Sequence, residues 1–239
     1  MNMEQFKLGD ITVDVVQKDI KNIHLSVYPP VGKVRIAAPL RMDMKTIRVY
    51  TISKLGWIKK QQSKLQGQKR EAPREFLSKE SHYYLGKRYL LKVIVQDSVS
   101  RVVLKHSTIE LYIRPGTSVE KRKLILDEWY RDQLKSKITS MISKWEKKMQ
   151  VHVEEFGVKK MKTKWGTCSQ QASRIWLNLE LAKKPVVCLE YIVVHEMVHL
   201  LERSHNQRFV VLMDKFMPQW RVHKDELNRL PVSHVEWLY

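Results

Sequence analysis

Residues 195–205 read His-Glu-Met-Val-His-Leu-Leu-Glu-Arg-Ser-His. On a helix of 3.6 residues per turn, His195 and His199 lie four apart, project from one face and can grip a single cation. Glu196, beside the first of them, is then placed to take a proton from a metal-activated water. A His-acid-x-x-His string with a further His at the tenth position arises by chance in roughly 1 in 1000 chains of this composition. The spacing therefore predicts a zinc site that hydrolyses amide bonds, with one zinc per chain.

The flanks support that reading. From Pro185 to Leu201 the chain is apolar on nearly every side, the pattern of a helix buried all round. Two imidazoles and a carboxylate in such a helix carry a desolvation cost unless something binds them. The bland alternative is a buried helix with hydrogen-bonded core histidines. For the third ligand, Glu202 and His205 compete. Glu202 would share the histidine face of a continued helix, but at about 1.5 Å rise per residue it sits roughly 10 Å beyond His195. His205 reaches the ion if the helix ends first, and Arg203-Ser-His-Asn206 favours caps and turns. The expected ligands are His195, His199 and His205, leaving a fourth position open as catalytic zinc requires. Glu202 is left as a support for a ligand or a solvated charge.

Composition bounds the setting. The 239 residues are 43% hydrophobic, enough for a sizeable core in one domain or two. No apolar run approaches the 18 or so residues of a membrane span, and the first ten residues lack the apolar centre of a secretory signal. Two cysteines, Cys168 and Cys188, outside any C-x-x-C pair, fit a cytoplasmic protein and suggest no second metal site. The net charge is +19, spread along the chain: residues 41–90 hold 13 basic against 4 acidic side chains, and residues 121–164 hold 13 against 6. Such a surface suits nucleic acid or acidic protein partners, or is simply solvated. No zinc-finger spacing, RNP-like aromatic run or basic zipper decides between these.

The first half reads as β structure. Strands are expected at Ile11–Val16, Ile23–Tyr28 and Lys33–Ala37, with Pro29-Pro30 and Gly32 in a hairpin turn. A helix follows from about Met44 to Gln66, then a hairpin over His82–Val95 turning at Gly86, and strands at 101–105 and 108–113. Pro115-Gly116 breaks the β pattern. A long charged helix should run from Ser118 to about Met149, with Ile125, Trp129, Leu134, Ile138, Met141, Ile142 and Trp145 as its inner stripe. Strand signals at Val151–Phe156 and Arg174–Leu179 precede the metal helix; short helices follow near Phe209–Phe216 and Pro218–Leu227. There are no internal repeats in the sequence. The expectation is an α+β protein with a β-rich N-terminal module over 1–116 and a catalytic domain over 117–239.

Several strings carry a resemblance: Lys164-Trp-Gly-Thr-Cys-Ser169, Ile175-Trp-Leu-Asn-Leu179, Tyr191-Ile-Val-Val-His-Glu-Met-Val-His-Leu200 and His205-Asn-Gln-Arg-Phe209. In this order, and with Ser81-His-Tyr-Tyr-Leu-Gly-Lys-Arg-Tyr-Leu90 before them, the chain resembles the YgjP-like zincin metallopeptidases over most of its length. Thr167 stands where that family usually has Ser, and Met197-Val198 where it has Leu-Cys. The resemblance implies a compact zincin fold related to the SprT and Wss-type DNA-associated proteases, with His195, His199 and His205 as ligands and Glu196 as base. It also implies that the strand of Trp165 lies near the site. In zincins such a strand commonly pairs with an extended peptide, which makes Trp165, Gly166, Cys168 and Asn178 substrate-edge candidates. Packing and a turn would equally explain the first three, and a buried hydrogen-bonded amide the last.

The expected function is zinc-dependent hydrolysis of peptide or protein substrates. Its rival is a basic nucleic-acid-binding protein with a structural or vestigial zinc site, and salt-dependent binding to nucleic acid by zinc-free protein would mark it.

Overall fold

The computed structural model describes residues 3–28, 31–67, 74–161 and 164–231. The Pro29-Pro30 step of the expected hairpin turn lies outside them. The protein is mixed α+β: among the described residues it has eleven strands in three sheets and six α-helices. No helix among them is long and apolar enough to cross a membrane.

The chain divides into two compact units at residue 71. In the first, β1 (Met3–Leu8), β2 (Ile11–Lys18), β3 (His24–Tyr28) and β4 (Lys33–Pro39) form a sheet in the order β1-β2-β4-β3. The outer pairs are antiparallel and the central pair β2·β4 is parallel. Val13, Val15, Val34 and Ile36 alternate onto one buried face, as the period of a strand dictates, and meet Ile47 and Ile58 of the helices that follow. Where one helix was expected over 44–66 there are two, α1 (Met44–Ser53) and α2 (Leu55–Gln66), parting at Lys54. The Thr51 and Ser53 hydroxyls donate back to the carbonyls of Ile47 and Tyr50, and Gly56 weakens the next turn; both features oppose helix continuity.

The second unit opens with β5 (Ser81–Tyr84), β6 (Lys87–Val95), β7 (Arg101–Leu104) and β8 (Thr108–Ile113). Its order, β5-β6-β8-β7, and its pairing senses repeat those of the first sheet, although the sequences do not repeat. Then comes α3 (Val119–Met149), capped by the Ser118 hydroxyl and closed by Gln150 in the left-handed conformation. Leu134, Ile138, Met141, Ile142 and Trp145 face the core as expected. In its first turns, however, Leu126 and Tyr130 are buried, and Ile125 and Trp129 pack only partly against it.

These elements also move the boundary expected at 116/117. The sheet of residues 81–113 belongs with the catalytic half, because Leu91, Ile109, Leu111 and Ile113 share one core with α3. The β5–β6 turn also docks on the segment that precedes residue 186: Leu85 and Gly86 donate to the carbonyls of Ala182 and Lys183 at 2.8 and 3.3 Å. A Cβ at Gly86, whose φ is +81°, would lie 2.9 Å from Pro185 Cγ.

A three-stranded sheet completes the unit: β9 (Glu155–Lys159), β10 (Gly166–Ser169) and β11 (Arg174–Asn178), ordered β10-β11-β9. The strand expected at 151–156 starts later because the chain first turns over the end of α3, where the Glu146 carboxylate accepts from Val153 N at 2.8 Å. A 3-10 helix (Leu179–Lys183) leads into α4 (Val186–Val198), followed by α5 (Gln207–Phe216) and α6 (Trp220–Arg229).

Candidate metal centre

Helix α4 is buried along most of its length, as its apolar sequence requires. It is tied to α3 through Glu190, whose carboxylate accepts from Trp145 Nε1 at 3.0 Å and Lys144 Nζ at 2.7 Å. The helix stops at Val198, earlier than a run to Leu201 would imply, with His199 as its cap. The chain then turns through Leu200–Ser204, and Asn206 starts α5 by accepting from Phe209 N at 3.0 Å. That turn delivers His205 to the other two histidines.

His195, His199 and His205 are the only cluster of its kind among the described residues, with ligand atoms all within 4.8 Å of one another. The Nε2 atoms of His195 and His205 are 3.0 Å apart. Nitrogens about 2 Å from one tetrahedral ion lie roughly 3.4 Å apart, so small ring rotations would suffice to close on an ion. His199 Nδ1 faces the carbonyl of Glu202 at 3.0 Å, which fixes the ring and leaves its Nε2 free; ligating histidines are commonly oriented in this way. Burial, followed by His199, His205 and then Lys224, pushes His195 down to about 3, and burial and the same neighbours also lower His205. These two rings are therefore neutral at physiological pH, the form that binds metal. The donor set fits a zinc ion. Behind it stands the buried ring of Phe209, with its centroid 4.7 to 5.0 Å from all three imidazoles.

Glu202 stands outside the cluster. Its carboxylate accepts from Ser204 N at 3.1 Å, and its carbonyl holds His199, so its part is in the turn. Glu196 is 5% exposed, and burial pushes it up to about 8 against the pull of Lys164. Strand β10 lies directly over it: a Cβ added at Gly166 would sit 2.6 Å from Glu196 Oε1 and 2.7 Å from Cγ. Only glycine permits that approach.

The centre opens into a cleft of about 790 Å3, with 164–171 on one wall and Lys224, Leu227 and Asn228 of α6 on the other. Trp165, Gly166 and Cys168 line it; Asn178 does not. Instead Asn178 donates to the carbonyls of Met161 and Lys164 at 2.9 and 2.8 Å and accepts from Glu180 N at 3.2 Å, pinning the segment before β10. Cys168 shares the Gly166 face of β10, and burial and then Glu196 push its thiol up to about 11. Sequence reasoning missed three further participants: Phe209, the α6 wall, and Tyr191. The Tyr191 ring meets His195 edge-on at 5.9 Å and stacks on Trp220 at 6.3 Å. The one-sided pattern of α6 carried some signal, but nothing in its sequence says which cleft it faces.

A family model described as YgjP-like, metallopeptidase domain, matches residues 21–230. Among solved structures, the chain is similar to the metallopeptidase zymogen of Pyrococcus abyssi abylysin at 16% identity and a TM-score of 0.37, over 41% of this chain and 99% of that one. No curated protein matches.

Proposed function

The chain belongs to the YgjP-like metallopeptidase family, and on that premise we propose that it hydrolyses peptide bonds at the three-histidine centre, with His195, His199 and His205 holding zinc and Glu196 as general base. The observation that carries this reading is the convergence of the three imidazoles beside a buried carboxyl. Zinc at such a centre supplies Lewis acidity, polarising the scissile carbonyl and making water nucleophilic near neutral pH.

The chain's own groups do the rest. Glu196 accepts the proton of the attacking water and returns it to the leaving amine. Burial pushes Glu196 up to about 8 and so strengthens it as a proton acceptor, and the charge of a zinc ion held by the three imidazoles would bring it back towards the carboxylate that accepts the proton. Glu202 and Phe209 keep the imidazoles in place. β10 lies at the edge of its sheet, so its unpaired side can receive an extended peptide, with Trp165, Gly166 and Cys168 along the substrate.

Glu196→Gln should keep the zinc content of the wild type while peptide cleavage falls by at least about 100-fold; undiminished cleavage would sink the mechanism. In His205→Ala, zinc measured after dialysis should drop sharply. Metal content equal to the wild type would remove His205 from the ligand set.

A further inference from the structure

Resting on the peptidase reading, we propose that the cleft selects acidic peptides, with Lys164, Arg203 and Lys224 receiving Asp or Glu side chains that flank the scissile bond. All three cations line the cleft and are exposed. The one carboxylate in the lining is Glu196, which is buried and belongs to the chemistry.

Some basic side chains of this unit find carboxylates, as Lys92 does with Glu110, Lys144 with Glu190, Lys160 with Asp127, Lys183 with Glu180, Arg174 with Glu155 and Arg221 with Asp214. Lys164, Arg203 and Lys224 form no ion pair among the described residues. Lys224 is not randomly placed either. Its ammonium lies 5.5 Å from the centroid of the Trp220 ring, and Trp220 is stacked on Tyr191 beside His195. One wall thus carries a seated cation at the metal centre and the other carries Lys164 next to Glu196. Unpaired like charges facing a peptide channel repel basic substrates as effectively as they attract acidic ones, and discrimination uses both.

The same charges could meet phosphates, but the aromatic groups argue for peptide. Single-stranded nucleic acid is held by aromatic faces that stack on bases. Of the two large aromatic side chains that line this cleft, Tyr191 is already stacked on Trp220, and Trp165 has the Lys184 ammonium over its ring at 5.9 Å.

The test uses three fluorescent peptides of equal length, identical except for Asp, Asn or Lys on both sides of one scissile bond. Their binding to metal-free full-length protein is followed by anisotropy, and their cleavage by zinc-loaded protein as kcat/KM. The Asp peptide should lead the Asn peptide by at least about fivefold in both measurements, the yield of about 1 kcal/mol from one exposed ion pair, and the lead should shrink as salt is raised. Lys224→Gln and Lys164→Gln should each reduce the Asp-to-Asn ratio by about threefold, the middle of the range for an exposed pair, while Lys215→Gln, outside the cleft, should leave the ratio alone. Equal binding and cleavage of the Asp and Asn peptides would overturn the proposal and leave the peptidase reading standing. Preferential binding of the Asp peptide with no peptide cleaved would support the acidic cleft and overturn the peptidase reading. Displacement of the Asp peptide by a poly-dT oligonucleotide at lower concentration than by unlabelled Asp peptide would overturn the proposal in favour of nucleic acid.

Discussion

At position 166 a single methyl group separates an open site from a blocked one. Glu196 is enclosed, so a Cβ placed 2.6 Å from its Oε1 and 2.8 Å from its Cδ could be fitted only by pushing the carboxyl out of its position. Gly166→Ala should therefore displace the carboxyl by a few tenths of an ångström or more and lower kcat by about 10- to 100-fold, because misplacement on the scale of an ångström can cost that much. Zinc content should be unchanged, since the three histidines lie on other elements. Full kcat in Gly166→Ala would show that Glu196 has room to move. At this scale the sequence was legible where geometry is local. The i, i+4 relation of His195 and His199 needs nothing but a helix, and Ser204 and Asn206 announced the turn that brings His205 back. The approach of Gly166 to Glu196 spans 30 residues and two elements, which one sequence cannot show. Asn178, read either as a substrate-edge residue or as a buried hydrogen-bonded amide, spends its amide on four backbone groups.

Helix α5 gives the histidines their backing. Its start depends on the Asn206 cap, and its first turn places Phe209 against all three rings. Asn206→Ala should cost about 1 kcal/mol of stability. Phe209→Ala should cost about 3–5 kcal/mol and also weaken zinc binding, because the imidazoles lose the wall they lean on. Urea unfolding of zinc-free protein gives the first two numbers, and a zinc competition titration gives the third. A Phe209→Ala protein with wild-type zinc affinity would make the ring a core residue only. The long or strongly periodic elements were legible, as with α3 and β8. β10 was legible only through the resemblance, because four residues, Gly-Thr-Cys-Ser, hold neither an apolar alternation nor a β-branched run. β1 was missed for a related reason: of residues 4–8, Phe6 alone is buried.

In the whole molecule, acid should loosen the second unit through His82. This side chain is 2% exposed on β5, and burial, then the nearby Arg74 charge, pushes it down from 6.5 to about 4. The unfolded chain takes up its proton below pH 6.5 and the folded chain only near pH 4, so stability is intact above that window and is lost as pH falls through it. At 1.36 kcal/mol per pKa unit the loss is about 3 kcal/mol. Unfolding free energies at pH 7 and pH 4.5 should differ by less in His82→Asn than in the wild type; an equal difference would place the acid sensitivity elsewhere. The sequence foretold two halves but set their border at a break in the β pattern, Pro115-Gly116. What joins the second sheet to the catalytic half is burial shared with α3, a property of packing that punctuation residues do not encode.

The shared order of the two four-stranded sheets has a consequence for how the chain reaches this state. In each, the third strand in sequence takes an outer place, and the fourth, β4 or β8, lies between it and the second, so that the fourth alone joins the third strand to the rest of the sheet. Hairpins close in roughly 1–10 μs, whereas ladders between strands distant in sequence form later. Until that central strand arrives, the inner edges of β2 and β6 offer unpaired backbone to any strand that meets them, including the same strand of another molecule. Refolding yield should therefore fall as protein concentration rises, and the misassembled species should be ones in which a neighbour has filled the empty slot.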